Sequence, residues 1–84
     1  MWEDGTIIID NIELKYSAKV FDEPSKEYGI NGGRISKLQV VNGDNWSFKN
    51  TIINYDRGWD IKPGTELAKK ALEKILRKYD EKEK

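Results

Sequence analysis

The sequence predicts an α+β domain: an antiparallel, four-stranded β-meander packed on one face by a single C-terminal α-helix. Three observations carry this. Residues 12–21 alternate between apolar and polar side chains, residues 6–9 form a β-branched run closed by Asp10-Asn11, and residues 67–79 repeat apolar side chains at three-and-four spacing. The first period belongs to a half-buried strand, and the last to a helix with one buried stripe.

The first strand is expected over residues 5–10, where Thr6-Ile7-Ile8-Ile9 has the branched side chains that suit a pleated surface. Asp10 and Asn11 tolerate left-handed backbone angles and suit a tight hairpin turn. In the second strand, residues 12–21, Ile12, Leu14, Tyr16, Ala18 and Val20 share one face. Glu13, Lys15, Ser17, Lys19 and Phe21 share the other. One side is therefore buried and one wet.

Residues 22–33 hold three glycines and a proline and read as a loop, long for so small a domain. A third strand follows over residues 34–42. Leu38 and Val40 have one parity and Ile35 and Val41 the other, so either a bulge shifts the register or both faces are partly covered. Asn42-Gly43-Asp44-Asn45 is a turn, and residues 46–55 form the fourth strand. There Trp46 and Phe48 disagree in parity with Ile53 and Tyr55, which calls for a second bulge near Asn50.

Residues 56–62 form a connector. Pro63 and Thr65 then open a helix over residues 64–80, with Glu66 complementing its positive end. Leu67, Ala68, Ala71, Leu72, Ile75, Leu76 and Tyr79 make its stripe. Pairs four apart (Glu66 with Lys70, Lys69 with Glu73, Glu73 with Arg77) lace the opposite side. Residues 80–84 are expected to fray. The stripe must be buried, and the aliphatic side of strand two is the partner available.

Composition narrows the function. Eighty-four residues make one domain, 1–84. Cysteine and histidine are both absent, which removes disulfides, the usual zinc sites and the usual Ser-His and Cys-His catalysis. No catalytic residues, metal or cofactor are therefore expected. No apolar run approaches the ~20 residues that span a bilayer. Met1 leads straight into Trp2-Glu3-Asp4-Gly5, so a cytoplasmic location and no membrane are the expectation. Net charge is zero, 15 basic against 15 acidic, which disfavours non-specific nucleic-acid binding. The charge is uneven, however: residues 1–33 hold 3 basic and 7 acidic side chains, and residues 34–84 hold 12 and 8.

Four constellations are candidates for chemistry. In Asn31-Gly32-Gly33-Arg34, backbone amides and a guanidinium can receive an anion; the alternative is a plain turn into strand three. In Tyr55-Asp56-Arg57-Gly58-Trp59-Asp60, aromatics and an arginine have the composition of a binding hot spot. Trp59 could equally plug the gap between strand four and the helix. The acids Asp22, Glu23, Asp56 and Asp60 and the helix cations Lys69, Lys70, Lys74, Arg77 and Lys78 read mainly as solvated groups.

Tyr28-Gly29-Ile30-Asn31-Gly32-Gly33-Arg34-Ile35-Ser36-Lys37-Leu38 is one distinctive stretch, and Asn54-Tyr55-Asp56-Arg57-Gly58-Trp59-Asp60-Ile61-Lys62-Pro63 is another. With Val20-Phe21-Asp22-Glu23-Pro24 they resemble a family of short uncharacterised proteins of Gram-positive bacteria, their phages and other mobile elements. The resemblance spans most of the chain and brings no activity. It implies an accessory protein of mobile DNA acting on a host system.

The resulting expectation is a small non-catalytic binding protein, an inhibitor or sequestering protein. Its surface would comprise Tyr28, Arg34, Tyr55, Asp56, Arg57 and Trp59, and its target would be a host protein or a small anionic nucleotide. The alternative is a DNA-binding domain using the open sheet face, by analogy of architecture with phage-type integrase domains. An uncovered face or edge strand also invites a homodimer.

Overall fold

Asp10 and Asn11 both adopt left-handed angles, with φ of 52° and 69°, and fold the chain into a two-residue hairpin. Positive φ at both central positions gives a turn whose twist matches the strands it joins. This hairpin starts a meander in the computed structural model, which describes residues 2–80. Five antiparallel strands lie side by side in chain order: β1 (Trp2–Ile9), β2 (Ile12–Val20), β3 (Ile35–Val41), β4 (Thr51–Asp56) and β5 (Trp59–Ile61). The helix α1 (Glu66–Asp80) closes one face. The sequence expectation of four strands is corrected to five. Asp56-Arg57-Gly58, read as part of a connector, is a tight turn, and the three residues of β5 are too few to show a period.

Pairing fixes which side chains go inward. Ile7 stands opposite Leu14, and Gly5 opposite Tyr16. Tyr16 stands opposite Val40, Ala18 opposite Leu38, Val40 opposite Ile53, and Leu38 opposite Tyr55. These side chains meet Ala68, Ala71, Ile75 and Tyr79 of α1 in one buried cluster, with Leu67, Leu72 and Leu76 at its margin. Each large aliphatic side chain buried there is worth about 1.5–3 kcal/mol. The exposed Glu73–Arg77 pair at 3.0 Å contributes about 0.3–0.5 kcal/mol, so burial decides where the helix sits. Lys70, expected to pair with Glu66, reaches Asp10 at 3.0 Å instead and ties the helix to the first turn.

The bulge expected in strand three exists, whereas the one expected near Asn50, within a strand from Trp46, is replaced by an extra residue at the start of a shorter β4. The register shifts between Lys19 and Val20 and again between Val40 and Val41. The second shift puts Val41 opposite Thr51 and makes Ile52 the extra residue. The fourth strand begins later than the sequence suggested: Trp46 to Asn50 pair with no strand, and Phe48–Asn50 form a 3-10 turn. Local bonds hold this segment. Asn42 N–H donates to the Asn50 carbonyl at 2.9 Å, Asn50 Nδ2 to the Asn45 carbonyl at 3.0 Å, and Thr51 Oγ1 to the Ser47 carbonyl at 2.9 Å. Trp46 and Phe48 are exposed, and Ile53 and Tyr55 are core. The loop lies over one end of the face opposite the helix, where Val41 is fully buried.

The Thr65 cap is as expected, its Oγ1 accepting the Ala68 N–H at 3.1 Å. At the other end Asp80 is helical and bonded rather than frayed; residues 81–84 lie outside the described residues. Inside, the hydroxyls of Tyr16 and Tyr79 share a buried hydrogen bond of 2.8 Å, with their rings edge to face at 6.2 Å. Lys78 Nζ donates to the Tyr16 hydroxyl at 3.2 Å. Gly5 makes room for this pair, because a Cβ there would overlap the Tyr16 phenol.

Burial, and next the bond to Tyr16, hold the Tyr79 phenol well above its ordinary value of 10.0. The unfolded chain ionises there first, so the stability this group contributes is fully present below pH 10 and falls as pH rises toward the raised folded value. The urea midpoint of the wild type should therefore be flat up to about pH 10 and drop beyond it. Tyr79→Phe should start lower at neutral pH, because Tyr16 loses its partner, and then drop less steeply. Parallel alkaline slopes for the two proteins would refute this.

Candidate functional site

The glycine loop is built by its own backbone. Ser25 N–H donates to the Gly33 carbonyl, Gly29 N–H to Ser25, Gly32 N–H to Gly29 and Gly33 N–H to Ile30, all within 2.9–3.0 Å. Ile30 is fully buried and nails the loop to the core. Asn31 and Gly32 take left-handed angles, φ 54° and 73°. At Gly29 a side chain would collide with the Gly33 carbonyl.

This loop does receive an anion, and the anion comes from the chain itself. The Asp80 carboxylate lies against Gly33, where a side chain would push it aside, and accepts the Arg34 backbone N–H at 3.0 Å. The Arg34 guanidinium donates through Nε to the Phe21 carbonyl at 2.8 Å and through a terminal nitrogen to the Tyr79 carbonyl at 2.7 Å. A cation thus sits beside the last turn of α1, where the helix dipole favours it, and bonds the Tyr79 carbonyl. Arg34 acts as a clamp between loop and helix.

Three of the predicted residues meet at one corner. Arg57, at the tip of the β4–β5 turn, has a φ of 56° and donates its N–H to the Ser36 carbonyl at 3.0 Å. Its guanidinium carbon lies 5.7 Å from the centre of the Tyr28 ring, within cation–π range. The Asp56 carboxylate is 3.8 Å from Arg57 Nε and 3.6 Å from Lys37 Nζ. Tyr28 is 44% exposed. Tyr55 and Trp59 form an edge-to-face pair at 4.9 Å on the core side; Tyr55 is buried and Trp59 half-buried against the cluster. They support the turn from beneath, while Arg34 stands apart at the helix end.

Sequence reasoning named the open sheet face but not the groove that lies on it beside this corner. On the face away from the helix, a groove of about 310 Å³ is lined by Trp2, Ser17, Lys37, Gln39, Asn54 and Asp56. The registers align it: Ser17, Gln39 and Asn54 are consecutive partners across β2, β3 and β4, as are Lys19, Lys37 and Asp56. Gln39 Nε2 donates to Thr51 Oγ1 at 3.0 Å. Ser17 and Asn54 side chains make no hydrogen bond among the described residues and lie on the face away from the helix. Trp2 escaped notice because it precedes the β-branched run. Its place on the strand follows only from pairing with Lys19.

The other candidates disperse. Among the described residues, no three acidic side chains gather as they would to hold a metal ion, so Asp22, Glu23, Asp56 and Asp60 do not form one site. Four of the five helix cations are drawn to separate partners: Lys70 to Asp10, Arg77 to Glu73, Lys74 to the Ile8 carbonyl and Lys78 to Tyr16. No described helix is long and apolar enough to cross a membrane.

A family model described as a domain of unknown function, DUF7678, matches residues 1–80. No curated protein and no solved structure matches the chain.

If Arg34 is a clamp, removing it should destabilise the fold whatever else it touches. Arg34→Ala forfeits two charge-assisted bonds to part-buried carbonyls. At about 1.5–3 kcal/mol for such a bond, and with water replacing part of both at this part-buried site, a loss of roughly 2–4 kcal/mol is expected in chemical unfolding. Arg57→Ala, at an exposed tip, should shift stability by no more than about 0.5–1 kcal/mol. Equal losses for the two variants would contradict the assignment.

Proposed function

The chain belongs to the DUF7678 family, and from that premise we propose that it is a non-catalytic binding domain. Its recognition surface runs from the Tyr28–Asp56–Arg57 corner into the groove of the open face. The observation that carries the proposal is the continuity of the two. Asp56 belongs to both, lining the groove and pairing with Arg57, so an aromatic ring, a guanidinium and free amide and hydroxyl groups form one surface. Tyrosine, tryptophan and arginine around a polar floor are the composition that dominates protein recognition.

A protein partner suits this surface better than a small anionic nucleotide. Asp56 offsets much of the charge of Arg57 and Lys37, and the groove is an open trough rather than a pocket that would enclose a ligand. The likeness to short proteins of mobile elements makes a host protein the partner of choice, bound so as to inhibit or sequester it. Duplex DNA has less support: Lys15 is paired to Asp44 at 3.0 Å and Lys37 to Asp56, which lowers the field that phosphates would meet.

The test is retention of partners from a host lysate, followed by affinity measurement for whichever is captured. Tyr28→Ala, Arg57→Ala and Asn54→Ala should each weaken binding by about 1–3 kcal/mol, roughly five- to 150-fold, with unchanged circular dichroism. Wild-type retention by all three variants would overturn the proposal. So would a gel shift on duplex DNA that disappears with salt and depends on Lys15, Lys19 and Lys37.

A further inference from the structure

The two edges of the sheet are unlike. The β5 edge is three residues long, whereas β1 is eight residues long with its outer side unpaired by any described strand. The hairpin turn makes Ile9 and Ile12 a hydrogen-bonded pair, so the inward-bonding residues of β1 are Ile9, Ile7, Gly5 and Glu3. Trp2, Asp4, Thr6 and Ile8 therefore direct their N–H and C=O groups outward. One of these carbonyls, that of Ile8, is met at 3.4 Å by Lys74 Nζ. A row of outward-facing amides is a template for another strand. Trp2 and Ile8, exposed by 56% and 59%, lie on the open face three residues to either side of Gly5.

We propose that β1 is a self-association edge, pairing antiparallel with β1 of a second copy about a two-fold axis at Gly5. This register sets Trp2 of each chain opposite Ile8 of the other, so the two exposed apolar side chains cover each other twice. Asp4 falls opposite Thr6, whose hydroxyl can donate to the carboxylate. Gly5 falls opposite Gly5, where no side chain stands in the way. On the helix side, Glu3 falls opposite Ile7, beside Lys74 and Lys78, which line the flank of that strand. The acidic end of each edge thus meets the basic flank of the other. Shifting the register by two residues one way opposes Asp4 to Asp4. Shifting it the other way sets Asp4 against Ile8 and Trp2 against Asp10. Both are worse in charge and in apolar cover.

Sedimentation equilibrium over a wide concentration range tests the association. The wild type should move from 9.8 kDa toward twice that mass as concentration rises. Ile8→Lys, at an exposed position, should weaken association at least ten-fold with an unchanged circular dichroism spectrum. Phe48→Lys, on the exposed loop away from this edge, should associate as the wild type does. The register has its own test, because the chain has no cysteine. On oxidation, a mixture of Asp4→Cys and Thr6→Cys chains should form a disulfide-linked dimer, and neither variant should do so alone. A monomer at every concentration, a dimer indifferent to Ile8→Lys, or efficient cross-linking by either single variant alone would overturn the proposal.

Discussion

The fastening of the helix C-terminus to the 22–34 loop is the constraint on which the surface of this domain depends. The apolar stripe supplies the adhesion between α1 and the sheet, but aliphatic contacts are non-directional and tolerate sliding. The polar contacts at Tyr79 and Asp80 set the position: Arg34 to the Tyr79 carbonyl, the Arg34 amide to Asp80, and the Tyr79 hydroxyl to Tyr16. Their partners come from the loop, β2 and the helix, so one cluster locks three parts of the chain. The same loop carries Tyr28. Whatever holds Asp80 in its seat also holds the ring beneath the Arg57 guanidinium, although the two sites share no atom.

That arrangement explains why the glycines misled as much as they informed. A carboxylate does lie beside the adjacent glycines, but the Arg34 backbone N–H holds it, while the Gly32 and Gly33 amides bond within the loop and the guanidinium bonds carbonyls. The occupant, Asp80, lies 46 residues away in the chain, and no local pattern could place it there. The features that were legible are local ones. The alternation of β2, the Asp10-Asn11 turn, the helical stripe and the Thr65 cap each depend on neighbours within a few positions. Residues 46–50 are the opposite case. Trp46 and Phe48 have the spacing of a strand, but Asn42, Asn50 and Thr51 close a loop around them, and those bonds win over the apolar pattern. The Tyr28–Arg57 contact was half legible: both residues were named, but their meeting depends on how loop and turn stack beside β3.

A sheet of five strands with one helix has twice as many faces as it can cover. The 42–50 loop solves part of this by folding over the Val41 end of the second face. The remainder is made wettable, with Ser17, Lys19, Lys37, Gln39 and Asn54 in register across three strands. These residues have little part in the core, and nothing in the packing requires an amide at position 54 or a tryptophan at position 2. Residues free of structural duty, gathered beside an exposed arginine and tyrosine, are the ones recognition can use.

Charge points the same way. An acidic first part and a basic second part suggest a molecule polarised end to end, but the fold interleaves them. Lys70 meets Asp10 and Lys15 meets Asp44, while Lys37 and Arg57 share Asp56. Each pair is worth little to stability at the surface, yet each offsets charge locally in a chain whose total is zero. With no net charge, a partner gains little steering from a distance and is selected at contact. That favours shape, an aromatic platform and directed hydrogen bonds over bulk electrostatics, the qualities gathered around Tyr28, Asn54 and Arg57.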